Sequence, residues 1–208
     1  MPEKLNGPQS DSSTPLESLL RPPVRERADA ARNRAAILDA AARLFAEKGV
    51  AAVSMDQVAT AAGVGKGTLF RRFTDKAGLA AALLDARERD LQQAILSGPP
   101  PLGPDAPPGE RLTAFAAAYL DYLLPHLDLV RMSETAAPGA RYRIGAYRFW
   151  HRHLAILLNG HPDPDAAAHM LLATLSAEHV AAVLPELGPE RLREAVLDLF
   201  ESRGAKSS

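Results

Sequence analysis

Residues 54–79 read SMDQVATAAGVGKGTLFRRFTDKAGL, and the spacing of this stretch decides the fold. Val53-Ser54-Met55-Asp56-Gln57-Val58 spells a capping box. In it the Ser54 hydroxyl accepts from the third backbone amide, Gln57 reaches back to the cap, and Val53 and Val58 form the hydrophobic staple. The short helix begun at Ser54 buries Val58, Ala59 and Ala62, and it stops at Gly63-Val64-Gly65, a turn too short to reverse the chain into an antiparallel hairpin. The next predicted helix, Lys66 to Phe73, buries Leu69 and Phe73 and leaves Lys66, Gly67, Thr68, Arg71 and Arg72 outward. A helix, a tight glycine turn and a second helix basic on its free face make the geometry that sets a helix in the DNA major groove.

Upstream, Ile37, Leu38, Ala41, Leu44 and Phe45 form one apolar stripe at helical spacing, on a helix of about twenty residues that ends at Gly49, the left-handed residue after its last turn. Five of the 17 prolines lie in residues 1–23, six in 99–108 and none in 24–98. Interior proline breaks helices, so 24–98 is free to be helical throughout. Residues 1–26 offer little to bury and read as a disordered leader, and 203–208 as a tail. The segment Gly98 to Gly109 reads as a linker between two helical bodies, with a DNA-binding domain over 27–76 and a second domain over 77–202. Residues 21–76 carry a formal charge of +5 and residues 77–208 one of -4, although the whole 208-residue chain sums to -1. The basic end is a candidate polyanion-binding face, and its arginines Arg21, Arg25, Arg27, Arg32 and Arg34 could act as an arm in an adjacent minor groove.

With 47% hydrophobic and 24% charged residues, the composition is that of a globular protein. The absence of cysteine excludes disulfides, thiolate metal sites and cysteine nucleophiles, and it suits a reducing, cytoplasmic setting. No apolar run is long enough for a membrane span, so no membrane partner is expected. A Walker phosphate loop around Lys66 fails on the spacing of its first glycine and on Gly67, which stands where Ser or Thr is required. A dinucleotide loop from Gly63 would need its third glycine at Thr68 and a preceding strand. His151 and His153 point apart on a helix, and His169 and His179 lie too far apart to share an ion. No catalytic residue, metal site or cofactor is expected, and the chain is not read as an enzyme.

Residues 32–79, above all Ala59 to Leu79, resemble the TetR family of transcriptional repressors, whose pattern is Ala-Gly-Val-Ser-x-Gly-Thr-Leu-Tyr-x-His-Phe-x-x-Lys-x-x-Leu. Carried over by position, the resemblance implies that Lys66, Gly67 and Phe70 face bases and that Ser54, Thr68, Arg72 and Lys76 meet phosphate; Arg71, outward on the same basic helix, is a further candidate for the DNA face. Three residues depart from the pattern: Phe70 stands for Tyr, Arg72 for His and Gly65 for Ser. Phe70 has lost the hydroxyl that could reach phosphate, and its plain alternative is a core aromatic.

Downstream, helices are expected over Ala77–Leu96 with an N-cap at Asp75, over Glu110–Leu124, roughly Arg141–Leu158 and Asp165–Leu184, and again from Pro189 onward. The aromatics Phe115, Tyr119, Tyr122, Tyr147 and Trp150, with His151, are a candidate pocket for a small-molecule effector, and otherwise a packed core. The apolar surplus on the last two helices marks Met170, Ala173, Ala177, Leu192, Val196 and Leu199 as a candidate dimer interface. The expected molecule is all-α, with an N-terminal helix-turn-helix domain followed by a ligand-binding and dimerisation body. It would be a homodimer that binds operator DNA and is released by an effector. The alternative is a helical ligand-binding or adaptor protein whose basic end is only a solvated surface.

Overall fold

The computed structural model describes residues 24–204. The expected leader and tail fall outside the described residues except at their inner ends, which are helical. Among the described residues the chain is all-α. Its helices are α1 (Val24–Lys48), α2 (Met55–Ala61), α3 (Lys66–Phe73), α4 (Lys76–Ser97), α5 (Pro108–Leu123), α6 (Leu127–Glu134), α7 (Ala140–Arg143), α8 (Gly145–Leu157), α9 (Pro164–Thr174) and α10 (Ala177–Gly204), with a 3-10 turn over Leu124–His126. No single helix among them is long and apolar enough to cross a membrane.

The local signals explain the boundaries. Gly49 closes α1 at φ 77° and Gly63 turns the chain after α2 at φ 64°, both in the left-handed region that glycine adopts without a Cβ penalty. Ser54 caps α2 in a complete capping box, its Oγ accepting from Gln57 N at 3.2 Å while Gln57 Oε1 accepts from Ser54 N at 2.8 Å. Asp75 caps α4 by accepting from Gly78 N at 2.7 Å. Arg25, Arg27, Arg32 and Arg34 lie on helix α1 instead of in an extended arm, and Arg21 lies outside the described residues.

Two apolar cores result. The first joins Ile37, Ala41 and Phe45 of α1 to Val58, Ala59, Leu69 and Phe73 of the helix-turn-helix and to Leu79 of α4. The second runs from Leu84, Leu91 and Ile95 of α4 through Phe115, Leu120, Trp150, Leu154 and Leu172 to Val196 and Phe200 of α10. Helix α4 therefore serves both cores. The change of core falls between Leu83, which packs on the first, and Leu84, which belongs to the second, inside this helix and not at the proline-rich segment that follows it. Helix α6 is a second bridge: Leu129 packs against both cores and Met132 against the first.

Two expected helices are each broken in two. Ile144, extended at φ -67° and ψ 134°, separates α7 from α8. At residues 175–176 the chain bends by 50° between α9 and α10. One buried ion pair bridges the two helix ends at the second break. The Arg141 guanidinium pairs with the Glu134 carboxylate and donates to the Leu172 carbonyl at 2.7 Å, in the last turn of α9. The other Glu134 oxygen accepts from Ala177 N at 2.9 Å, the first amide of α10. The cation thus meets a helix C-terminus and the anion a helix N-terminus, as the helix dipoles favour. Pro189 does open the final arm of α10, after Gly188 at φ 74°.

Candidate nucleic-acid interface

Helix α3 is held by Leu69 and Phe73, which are buried in the first core, and everything else on it faces outward or is half-buried. Phe70 is 45% exposed, which removes its reading as a core aromatic and leaves an apolar ring standing on the free face. Beside it, Gly67 has open space where a Cβ would be, so backbone can approach a groove there. Lys66 is exposed and ion-paired to Asp56 across the turn. Pairs this exposed are worth at most about 1 kcal/mol, so a base edge can compete for the ammonium. Arg71 is exposed, its Nε donating to the Gly67 carbonyl at 3.2 Å, and Thr68 is half-buried behind the face.

Three of the predicted DNA residues have other partners as well. The Ser54 hydroxyl oxygen is the α2 cap but keeps its own O–H to donate. Arg72 donates through Nη1 to the Ala30 carbonyl at 2.7 Å, tying α3 to α1 while leaving other N–H groups free. Lys76 is engaged most fully. Its ammonium donates to the carbonyls of Val50 at 2.9 Å, Ala51 at 3.2 Å and Val53 at 2.9 Å. An ammonium has three donors, so none is left for phosphate, and Lys76 is corrected to a staple that closes the α1–α2 turn onto α4.

The predicted effector residues divide. Tyr119, Tyr122, Tyr147 and Trp150 do line one cavity, whose free volume is only about 20 Å³, room for about one water. Phe115 is buried behind Tyr119 and Trp150, and His151 lies outside the cavity. Sequence spacing missed the polar side of the cavity. It comprises Glu88, which accepts from Tyr122 Oη at 3.0 Å, and the Glu134–Arg141 pair. Burial raises the Glu88 carboxyl above its usual range. Burial also raises Tyr119 and Tyr122, with the Glu88 charge adding to both, so the phenols stay protonated.

His151 instead meets His169, a pair that intrahelical spacing could not reveal, with ring centroids 4.0 Å apart across α8 and α9. The Tyr147 hydroxyl lies 2.7 Å from His169 Nδ1, and burial together with the His151 neighbour lowers the His169 pKa. No group of three His, Asp or Glu side chains among the described residues is placed to hold a metal ion.

The predicted interface also divides. Ala177, Leu192 and Val196 are buried within the subunit and are corrected to core, where the last helix packs on α5. Met170 is 68% exposed, Ala173 is exposed and Leu199 is half-exposed. Met170 and Leu199 line an apolar concavity of about 440 Å³ with Ala166, Ala167 and Leu171.

A capped short helix, a glycine turn and a basic helix on a three-helix core define a helix-turn-helix unit of the DNA-binding kind. Residues 37–83 match the family model described as bacterial regulatory proteins, tetR family, and the unit belongs to that family. Over 69 residues, 33% of this chain, the sequence is 42% identical to the HTH-type transcriptional regulator SAB2452 of Staphylococcus aureus (strain bovine RF122 / ET3-1); the match spans 36% of that relative's length. The whole architecture is shared with solved TetR-family proteins. A TetR-family transcriptional regulator from Pectobacterium atrosepticum is 26% identical at a TM-score of 0.59, covering 83% of this chain and 93% of that one. SCO4454 from Streptomyces coelicolor is 24% identical at a TM-score of 0.61, covering 86% and 97%. NalD, the secondary repressor of the MexAB-OprM multidrug efflux pump in Pseudomonas aeruginosa, is 24% identical at a TM-score of 0.57, covering 84% and 97%.

Proposed function

We propose that the chain is a homodimeric transcriptional regulator of the cytoplasm, a repressor released from its operator by a small-molecule effector. The observation that carries the DNA-binding reading is the free face of α3, where Phe70 stands exposed among Lys66, Gly67 and Arg71 with no core to serve. A lysine can donate to guanine O6 or N7, an aromatic ring can lie against a thymine methyl, and the bare Gly67 lets both come close. Ser54, Thr68 and the free N–H groups of Arg72 suit phosphate oxygens, which fix register without reading sequence.

Two such helices need a fixed separation, which supports a dimer through the exposed part of α9 and the end of α10. The aromatic cavity supports the effector reading: phenols, an indole, a guanidinium and two carboxyl groups converge there, and opening it would move α4 and α6, the two helices that also hold the first core. An effector that prefers the opened body would weaken DNA binding by a coupling of about 1–3 kcal/mol, and DNA would weaken effector binding equally.

The test is selection from a random duplex pool with the purified protein. We expect a pseudo-palindrome with half-sites about one helical turn apart, bound with an affinity that falls with salt. Recovery of no enriched sequence, with salt-independent retention, would leave the helical adaptor reading instead.

A further inference from the structure

A cleft of about 600 Å³ lies between the N-terminal unit and the body, within the range of small-molecule sites. One wall is the end of α1 and the turn after it, with Phe45, Ala46 and Val50; the other is the 3-10 turn and the start of α6, with Leu124, Leu127 and Leu129, and Leu83, Leu84 and Arg87 of α4 complete the lining. Its lining is apolar apart from Arg87, His126 and Asp128. Arg87 of α4 is exposed and has no ion-pair partner among the described residues, while its neighbour Arg89 is paired with Asp85. His126 stands beside it, close enough that burial and then the Arg87 charge disfavour its protonation, and a neutral imidazole keeps one N–H to donate. The acid on the rim, Asp128, belongs to the first turn of α6, where it suits the helix N-terminus, and it makes no ion pair with Arg87.

We infer that this cleft is a second ligand site, separate from the aromatic cavity, for an amphipathic monocarboxylate. Its alkyl chain lies between α1 and α6, and its carboxylate is taken by Arg87 and His126. The fork of Arg87 matches a carboxylate bidentately, and an unpaired guanidinium at the mouth of an apolar cleft gives the site its preference of charge. Because the occupant touches α1 on one side and α6 on the other, its affinity depends on how the DNA-binding unit sits on the body. Binding is therefore coupled to DNA, a consequence that rests on the function proposed above, whereas the site itself does not.

The experiment is calorimetric titration of the full chain with sodium decanoate, and with decyltrimethylammonium as the same chain under the opposite charge. One decanoate per chain is expected, with the cation at least about tenfold weaker. Arg87→Gln, at an exposed position, should weaken decanoate about tenfold, and Ala46→Trp, which fills the α1 wall, should abolish it. Trp150→Phe, in the other cavity, should leave decanoate unchanged. Decanoate binding that survives both cleft variants, or is lost in Trp150→Phe, or is outdone by the cation, overturns the site. A second titration measures affinity for the selected operator with and without decanoate. Binding in the cleft with no change in operator affinity overturns the coupling alone, and a chain that binds no DNA overturns the proposed function while the site stands.

Discussion

Lys76 shows how one side chain can pass for a DNA contact and do something else. Its ammonium joins three backbone carbonyls of residues 50–53, so Lys76→Met strands acceptors in a half-buried turn. Hydrogen bonds to charged groups contribute about 1.5–3 kcal/mol, and the expected result is a loss of that size in urea unfolding with little change in the salt slope of DNA binding. Arg71→Ala should do the reverse, lowering the slope by about one unit at unchanged stability. His153 is the other residue with a clear prediction. It is 7% exposed, its Nε2 has no partner, and burial, aided by Arg111, lowers its pKa to about 4. The folded state thus favours neutral imidazole, while the unfolded chain takes up a proton near pH 6.5. Stability is full above about pH 6.5 and falls as the pH drops toward 4, the window in which the unfolded state binds more protons. His153→Leu should flatten that fall, measured by denaturation at a series of pH values, and the same slope in the variant would exclude His153 as its source.

At the scale of elements, the helices whose ends are marked by local chemistry could be read from the sequence, and those whose ends are set from elsewhere in the chain could not. Ser54 and Gln57 cap α2, Gly49 and Gly63 end α1 and α2, Asp75 opens α4 and Pro189 opens the last arm, each within four residues of what it controls. The break at residues 175–176 carries no glycine or proline. Ser176 caps α10 locally, its Oγ accepting from His179 N at 3.2 Å, but the groups that join the two helix ends are distant in sequence: Glu134 lies 43 residues from Ala177 and Arg141 31 residues from the carbonyl it holds. The pairing of His151 with His169 was hidden for the same reason, since intrahelical spacing says nothing of a neighbouring helix. The ion pair can be tested directly. Glu134→Gln leaves the Arg141 guanidinium buried without its counter-charge, and removing one partner of such a pair costs about 3–5 kcal/mol. The double variant Glu134→Gln with Arg141→Met should recover much of that loss in thermal unfolding. Additive losses would show that the two groups act separately.

At the scale of the whole molecule, the proposed dimer requires an apolar surface for a second copy to cover. The stripe Leu192, Val196 and Phe200 of α10 is already used by the subunit's own core against α5, leaving Met170 and Leu199 at the concavity beside α9, with Ala173 exposed on the same helix. A solvated methionine at 68% exposure beside an apolar hollow of about 440 Å³ suits a surface that repeats itself across a two-fold axis. Met170→Glu places a charge at the centre of that surface without touching either core, so the subunit should stay folded while the dimer is lost, because burying an unpaired charge is strongly disfavoured. Sedimentation should then show monomers with wild-type helical content, and operator affinity should collapse toward that of a single half-site. Val196→Ala makes the contrast, since it opens a cavity inside the subunit and should lower stability by roughly 1–3 kcal/mol while leaving the dimer assembled. If Met170→Glu sediments as a dimer, the interface lies on another face, and the spacing of the two α3 helices must be set from there.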